Sequence, residues 1–323
     1  MRILFVGDVM LGRLVNEILK QKKPEYPWGD TLPVFKKVDL RICNLECVIT
    51  DTGEPIPQKT FHFRTDQKNF KTLLSSDMGM VSLANNHILD FNYEGMLNTM
   101  KILGSNAINY AGVGMSFLEA SEPAICDVDS KKIGLIAFTD NEPEWEATDK
   151  KPGIFYVPVD TKDAKAASLF EQIKKVKKNA DILIVSAHWG PNWGYEPPEE
   201  HIPFAHAIID AGADVVFGHS GHVFRGIEVY KNKPILYCAG NFIDDYAVDE
   251  VEKNNQSFIF ILETDKSSIK KISLYPTVIK NLQANLAKEY EQEEIIMKMQ
   301  NLCSKFGTKT AWKEKPEFLE VII

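Results

Sequence analysis

The sequence lacks any run of about eighteen apolar residues, so no stretch of it reads as a membrane-crossing helix. Its opening MRILFV turns polar at Gly7-Asp8, without the basic, apolar and cleavage-site series of a secretory leader. The expected location is the cytoplasm, with no membrane anchor. Positive charge is also short, with 37 Lys and Arg against 45 Asp and Glu and a net charge of −8. A general nucleic-acid binder needs a basic face, so nucleic acid is not an expected partner. Cysteine is limited to five scattered residues. Only Cys43 and Cys47 lie close together, and no second close pair completes a zinc knuckle. The thiols are expected to act as small hydrophobes in a reducing compartment. Internal repeats and long low-complexity linkers are missing as well.

What is present suits one large core. The chain has 323 residues and is 44% hydrophobic. Apolar runs at 2–6, 38–45, 78–83, 107–110, 133–138, 181–187 and 213–217 read as strands. Between several of them lie helical patterns at 14–20, 32–37, 93–103, 163–178 and 202–211. This alternation argues for an α/β layered fold. Short turns join 124–128 to 133–138, 226–230 to 234–238, and 257–263 to 268–275, so mixed sheets are expected. The expected division is one catalytic domain over 1–281 and a charged, helical appendage over 282–323 packed on the core.

Six apolar runs end alike. Asp8, Glu46, Asn86 with His87, His188, His219 with His222, and Asn241 each fall at or just beyond a run's carboxyl end. In layered α/β folds ligands collect there, because loops and side chains converge at that edge. Carboxylates, imidazoles and carboxamides at one rim are mixed O/N donors that suit Mn²⁺, Zn²⁺ or Fe. Each residue also has a structural reading, since an Asp after a strand serves as a turn residue or helix cap. His62, His201 and His206 lie in an edge segment or beside a core-facing helix and are expected to be structural.

The motifs Gly7-Asp8-Val9-Met10-Leu11-Gly12-Arg13, Asn44-Leu45-Glu46, Ala84-Asn85-Asn86-His87 with Asp90, His188-Trp189-Gly190, Gly218-His219 with His222, and Gly240-Asn241-Phe242 resemble the CapA family. This poly-γ-glutamate capsule biosynthesis group is distantly similar to calcineurin-like metallophosphoesterases. The resemblance covers about residues 2–281. It implies a four-layer α/β/β/α metallophosphatase-like sandwich of mixed sheets, with one or two divalent metal ions per chain. Position by position, it makes Asp8, Glu46, Asn86, His188, His219 and His222 metal ligands, and His87 a proton donor. Two departures stand out. Met10 occupies the place of the first-strand histidine in phosphoesterases of this superfamily. The last motif has one residue more between its histidines, with Ser220-Gly221 where CapA-like chains often carry His-Pro. A single ion, or one tight and one loose, is therefore expected.

Such an ion polarises a carbonyl or phosphoryl oxygen and activates water as a nucleophile. His87, oriented by Asp90, would protonate the leaving group; Asp90 can equally cap the following helix. Arg13 and Arg225 can fork onto a carboxylate or phosphate, or form surface ion pairs. Trp189, with Asn241, is expected at the substrate cleft, near Trp193 and Tyr195. The expected activity is hydrolysis or transfer at a γ-glutamyl or peptide amide in poly-γ-glutamate-type metabolism. Phosphoester hydrolysis, peptide epimerisation and a non-catalytic accessory role are the alternatives. The expected partner is an anionic glutamate-containing polymer, peptide or phosphoester, and a homo-oligomer is compatible with the sequence.

Overall fold

A computed structural model describes residues 1–57, 59–265 and 268–323. Two sheets form its centre. The larger has ten strands, with Arg2–Val9 parallel to Leu40–Leu45, which is followed outward by Met80–Ser82 and Asn109–Ala111. The smaller has six, with Ile182–His188 parallel to both Lys131–Thr139 and Val215–His219.

Side-chain alternation along the strands makes the layers. In the first strand Ile3 and Phe5 enter the core between the sheets, which also holds Ile184, Phe217 and Leu236 of the second sheet. Leu4 and Val6 point the other way, into a cluster with Val15, Val34, Leu73 and Met96 from helical segments. In the second sheet Ile182 and Ile184 face inward, while Leu183, Val185 and Ala187 pack on Leu169, Phe204 and Ile208 of two helices. Period-two alternation with both faces apolar is why these strands read as continuous hydrophobic runs. The result is the four-layer α/β/β/α sandwich of mixed sheets.

The helices follow their sequence cues. Ala164–Lys177 starts at Asp163, whose carboxylate accepts the Lys165 backbone N–H at 2.7 Å, and it ends in a lysine-rich turn. His201–Ala211 stops at Gly212, which has φ +122°.

The stretch 282–323 departs from the helical appendage expected of it. It supplies one helix, Glu289–Ser304, and three strands, Gln283–Leu286, Thr310–Glu314 and Glu317–Val321. Glu317–Val321 pairs with Ser268–Lys280, so the end of the chain closes an edge of the larger sheet. Ile295, Met299 and Leu302 of the helix enter the inter-sheet core. Among the described residues, no helix is long and apolar enough to cross a membrane.

Candidate metal centre

Parallel pairing brings the strand ends to one rim. Asp8 lies opposite both Asn44 and Asn241, and His188 lies opposite His219. The two sheets meet here: Asn44 Nδ2 is 2.8 Å from Asp8 Oδ1, 2.9 Å from Glu46 Oε2 and 3.5 Å from His188 Nδ1. Asn85 Nδ2 in turn donates to Asn44 Oδ1 at 3.0 Å. One carboxamide therefore holds both carboxylates in place.

Asp8, Glu46, His188 and His219 are fully buried, and His87 and His222 are nearly so. Ligand atoms of Asp8, His188 and His219 lie within 4.8 Å of one another. His222 Nδ1 is 3.9 Å from Asp8 Oδ2 and 2.9 Å from Asn241 Oδ1. The turn that delivers His222 uses left-handed backbone at Ser220 (φ 98°) and His222 itself (φ 56°). Non-glycine residues hold such angles only where the surroundings enforce them.

Several buried atoms here have no hydrogen-bond partner: Asp8 Oδ2, Glu46 Oε1, Asn86 Oδ1 and His188 Nε2. An unsatisfied buried polar atom costs about 1–3 kcal/mol, and three of these four belong to Asp8, Glu46 and His188, which meet at the Asn44 carboxamide, a pattern that fits a binding site. Two carboxylate oxygens, a carboxamide oxygen and an imidazole nitrogen match the donors of Mn²⁺, Zn²⁺ or Fe. The residues fit a divalent ion. Met10 does not contribute, because its thioether packs in the outer core of the larger sheet.

Burial dominates the electrostatics. It raises the Asp8 carboxyl, against the pull of His222. It raises Glu46 well above the ordinary carboxylate range, and the neighbouring Asp8 charge adds to the effect. Burial also lowers His188 far below its usual value, with His219 beside it, and takes His219 down to about 3. The imidazoles are neutral near pH 7, the form that binds a metal. His188 and His219 face each other through their Nδ1 atoms at 2.9 Å, and His219 Nε2 is 2.7 Å from Ser186 Oγ.

His87 and Asp90 form a second unit beside these atoms. His87 Nδ1 is 2.7 Å from Asp90 Oδ2, and His87 Nε2 is 3.8 Å from Glu46 Oε1. Asp90 Oδ2 also accepts the Phe63 backbone N–H at 2.7 Å. The Phe63 ring meets the His87 ring edge-on at 4.7 Å. Lys59 was not singled out from the sequence. Its Nζ is 2.7 Å from Asp90 Oδ1 and 3.3 Å from His87 Nδ1, and it also donates to the Asn86 carbonyl. A lone lysine in a loop with glycine and prolines carries no motif that would have found it. Burial lowers the His87 pKa, while Asp90 opposes that shift.

Two residues expected at the substrate cleft, Arg225 and Trp189, are buried. The Arg225 guanidinium donates to the carbonyls of Gly194, Trp193 and Pro191 at 2.9, 3.1 and 3.4 Å. Through these bonds it holds the loop after His188, while its Nη1 is buried without a partner. Trp189 is fully buried in the outer core of the second sheet, where its Nε1 donates to the Tyr237 carbonyl at 2.9 Å. Strand alternation explains this: with His188 facing the rim, its neighbour must face away. Trp193 takes the rim position instead, its ring 5.7 Å from that of His222 and 41% exposed. Asn241 opens the strand Asn241–Ile243 instead of ending one, but lies at the rim as expected. Arg13 sits near the mouth, 3.3 Å from Asp245 and over the rings of Phe61 and Phe63.

A family model described as bacterial capsule synthesis protein PGA_cap matches residues 2–246. A probable polyglutamine synthesis accessory protein of Mycobacterium tuberculosis is 31% identical over 363 residues, covering 99% of this chain and 95% of its own length. The PGA biosynthesis protein CapA of Bacillus subtilis is 31% identical over 244 residues, covering 75% of this chain and 62% of that protein. The matched stretch is thus less than two thirds of CapA. A solved structure of a hypothetical protein from Thermus thermophilus superposes with a TM-score of 0.50 at 15% identity, covering 85% of this chain and 98% of that one. That likeness is one of fold alone.

Proposed function

The chain belongs to the PGA_cap family of bacterial capsule synthesis proteins, and from that premise we propose that it is a metal-dependent enzyme of polyglutamate metabolism that hydrolyses or transfers a γ-glutamyl amide. The observation that carries the reading is the set of four partnerless buried donor atoms with the His87–Asp90 pair alongside. Asp8, Glu46, Asn86 and His188 would hold the ion, with His219 and His222 beside them. A divalent ion in such a place supplies Lewis acidity toward an amide or phosphoryl oxygen and acidifies water.

The protein's own groups do the rest. Asn44 fixes the two carboxylates, so the donor set needs little rearrangement. Asp90 takes the Nδ1 side of His87 and leaves Nε2 turned toward Glu46, able to hold or deliver a proton at that atom. Lys59 anchors Asp90, which keeps the imidazole in one orientation. The closed, buried rim keeps bulk water away from these groups.

The test is incubation of the full chain with a γ-glutamyl oligopeptide and Mn²⁺, Zn²⁺ or Fe²⁺, following new amino groups. The expected result is release of amine, reduced in His87→Asn by about 10²–10⁴-fold with bound metal unchanged. Turnover of a phosphodiester reporter alone would select ester hydrolysis. Solvent deuterium incorporated into the peptide without cleavage would select epimerisation. Metal bound with none of these reactions would overturn the enzyme reading in favour of an accessory role.

A further inference from the structure

A cavity of about 450 Å³ lies away from the rim. It lies along the outer face of the larger sheet, at the opposite end of the first strand. Arg2 lines it, whereas Asp8 serves the metal centre, and six strand residues span about 20 Å. The cavity floor is Ile261, Ser273, Tyr275 and Phe318. One wall is the segment carrying Val34 and Lys37, and the other is the end of the strand Thr310–Glu314, with Lys313, and the turn after it, with Lys315.

The charge of this groove runs against that of the protein. Five cations (Arg2, Lys37, Lys271, Lys313 and Lys315) line it against two acids, Glu263 and Glu320, in a chain whose net charge is −8. The two acids are already shared. Glu263 pairs with Arg2 at 3.4 Å, and Glu320 divides itself between Lys271 at 3.7 Å and Lys313 at 3.5 Å. Among the described residues, the exposed side chains of Lys37 and Lys315 have no ion-pair partner. A concave strip with cations on both walls focuses positive potential along its length and attracts a linear polyanion.

The floor narrows the class of ligand. Single-stranded nucleic acid binds through exposed ring faces on which bases stack. Here the Phe318 ring is buried, packs 5.7 Å from Tyr275 and is covered by Lys271 at 4.4 Å. Point-charge lysines over a sheet face suit carboxylates repeating along an extended chain. We infer that this groove is a second binding site, remote from the metal centre, for an extended polycarboxylate chain. The choice of polyglutamate as that chain rests on the proposed function; the preference for a polycarboxylate rests on the groove.

Fluorescence anisotropy of a labelled glutamate oligomer with the full-length protein tests this. Working in chelator separates binding here from any event at the metal centre. The oligomer is expected to bind at low salt and to be released toward 1 M salt, where screening acts within about 3 Å. The double variant Lys37→Glu/Lys315→Glu should weaken binding by about tenfold or more, and Lys37→Gln/Lys315→Gln by less. His87→Asn should bind as wild type. Circular dichroism of each variant checks that the fold is kept; both lysines are exposed, so retention is expected. Absence of binding, binding indifferent to both double variants, or equal binding of an oligothymidylate of matched charge would each overturn the inference. If binding survives while no turnover is found, the groove stands and the proposed chemistry falls.

Discussion

Replacing Glu46 with Gln should stabilise the metal-free protein while abolishing its response to metal. Glu46 and Asp8 are both fully buried and share a single carboxamide, Asn44, with Glu46 Oε1 left partnerless. Burial first, and then the Asp8 charge, raises the Glu46 pKa far above its ordinary 4.5. A raised folded-state pKa means that the stability from this group is complete below pH 4.5. That stability is lost as pH rises through the folded value. The metal-free wild type therefore carries a growing penalty on the alkaline side that the neutral amide does not. The penalty is on the order of 1–3 kcal/mol, the cost of a buried unsatisfied polar group. For a chain of this length that corresponds to about 2–4 °C in melting temperature. Calorimetry in chelator at pH 5 and pH 8 should show Glu46→Gln above wild type, with the gap wider at pH 8. Adding Mn²⁺ or Zn²⁺ at a hundredfold excess over Kd should raise the wild type by about 2.7 kcal/mol and leave the variant nearly unmoved. A metal-free Glu46→Gln less stable than wild type, or one stabilised equally by metal, would rule out a buried, partnerless Glu46 carboxylate as a metal donor.

Three further outcomes follow from the packing. His201 is buried against Trp189 at 4.5 Å, and burial takes its pKa from 6.5 to about 3. Its stability contribution is present above pH 6.5 and is lost as pH falls toward 3. His201→Phe should therefore flatten the acid limb of a urea-denaturation series by about 1.4 kcal/mol per pH unit in that window. Arg225→Met should free the loop 191–194, cost about 3 kcal/mol and expose that loop to limited proteolysis. A Cβ on Gly7 would lie 1.8 Å from the Gly240 carbonyl oxygen, which also accepts the Asp8 N–H at 3.0 Å. Gly7→Ala should therefore cost about 3 kcal/mol in denaturant melts and displace Asp8 enough to reduce metal retention.

The fold was legible in the sequence wherever strands were buried on both faces. Residues 2–6, 181–187 and 213–217 read as strands because parallel central strands cannot alternate apolar with polar. Their ends were legible too, since glycine and polar residues break each run at the rim. The tail was not. Thr310–Glu314, the edge strand, and its neighbour Glu317–Val321 are short, TAWKE and EFLEV, and their charges masked the alternation. At the site, side-chain direction was the weak point. Trp189 follows a rim histidine in sequence yet must point to the other face, and Arg225 follows His222 yet turns onto a loop's carbonyls. Asn44 and Lys59 act through contacts thirty or more residues away in sequence, such as Asn44 with Asp8 and Lys59 with Asp90. No local pattern announces such contacts.

We propose that the partnerless atoms of Asp8, Glu46, Asn86 and His188 are the donors of a metal centre. Elemental analysis of the full chain purified without chelator tests it most directly, with Asp8→Asn and His188→Gln alongside. About one to two equivalents of Mn, Zn or Fe are expected in the wild type, with a sharp fall in both variants. A wild type with less than about a tenth of an equivalent after exposure to each metal, or variants that retain the full content, would contradict it.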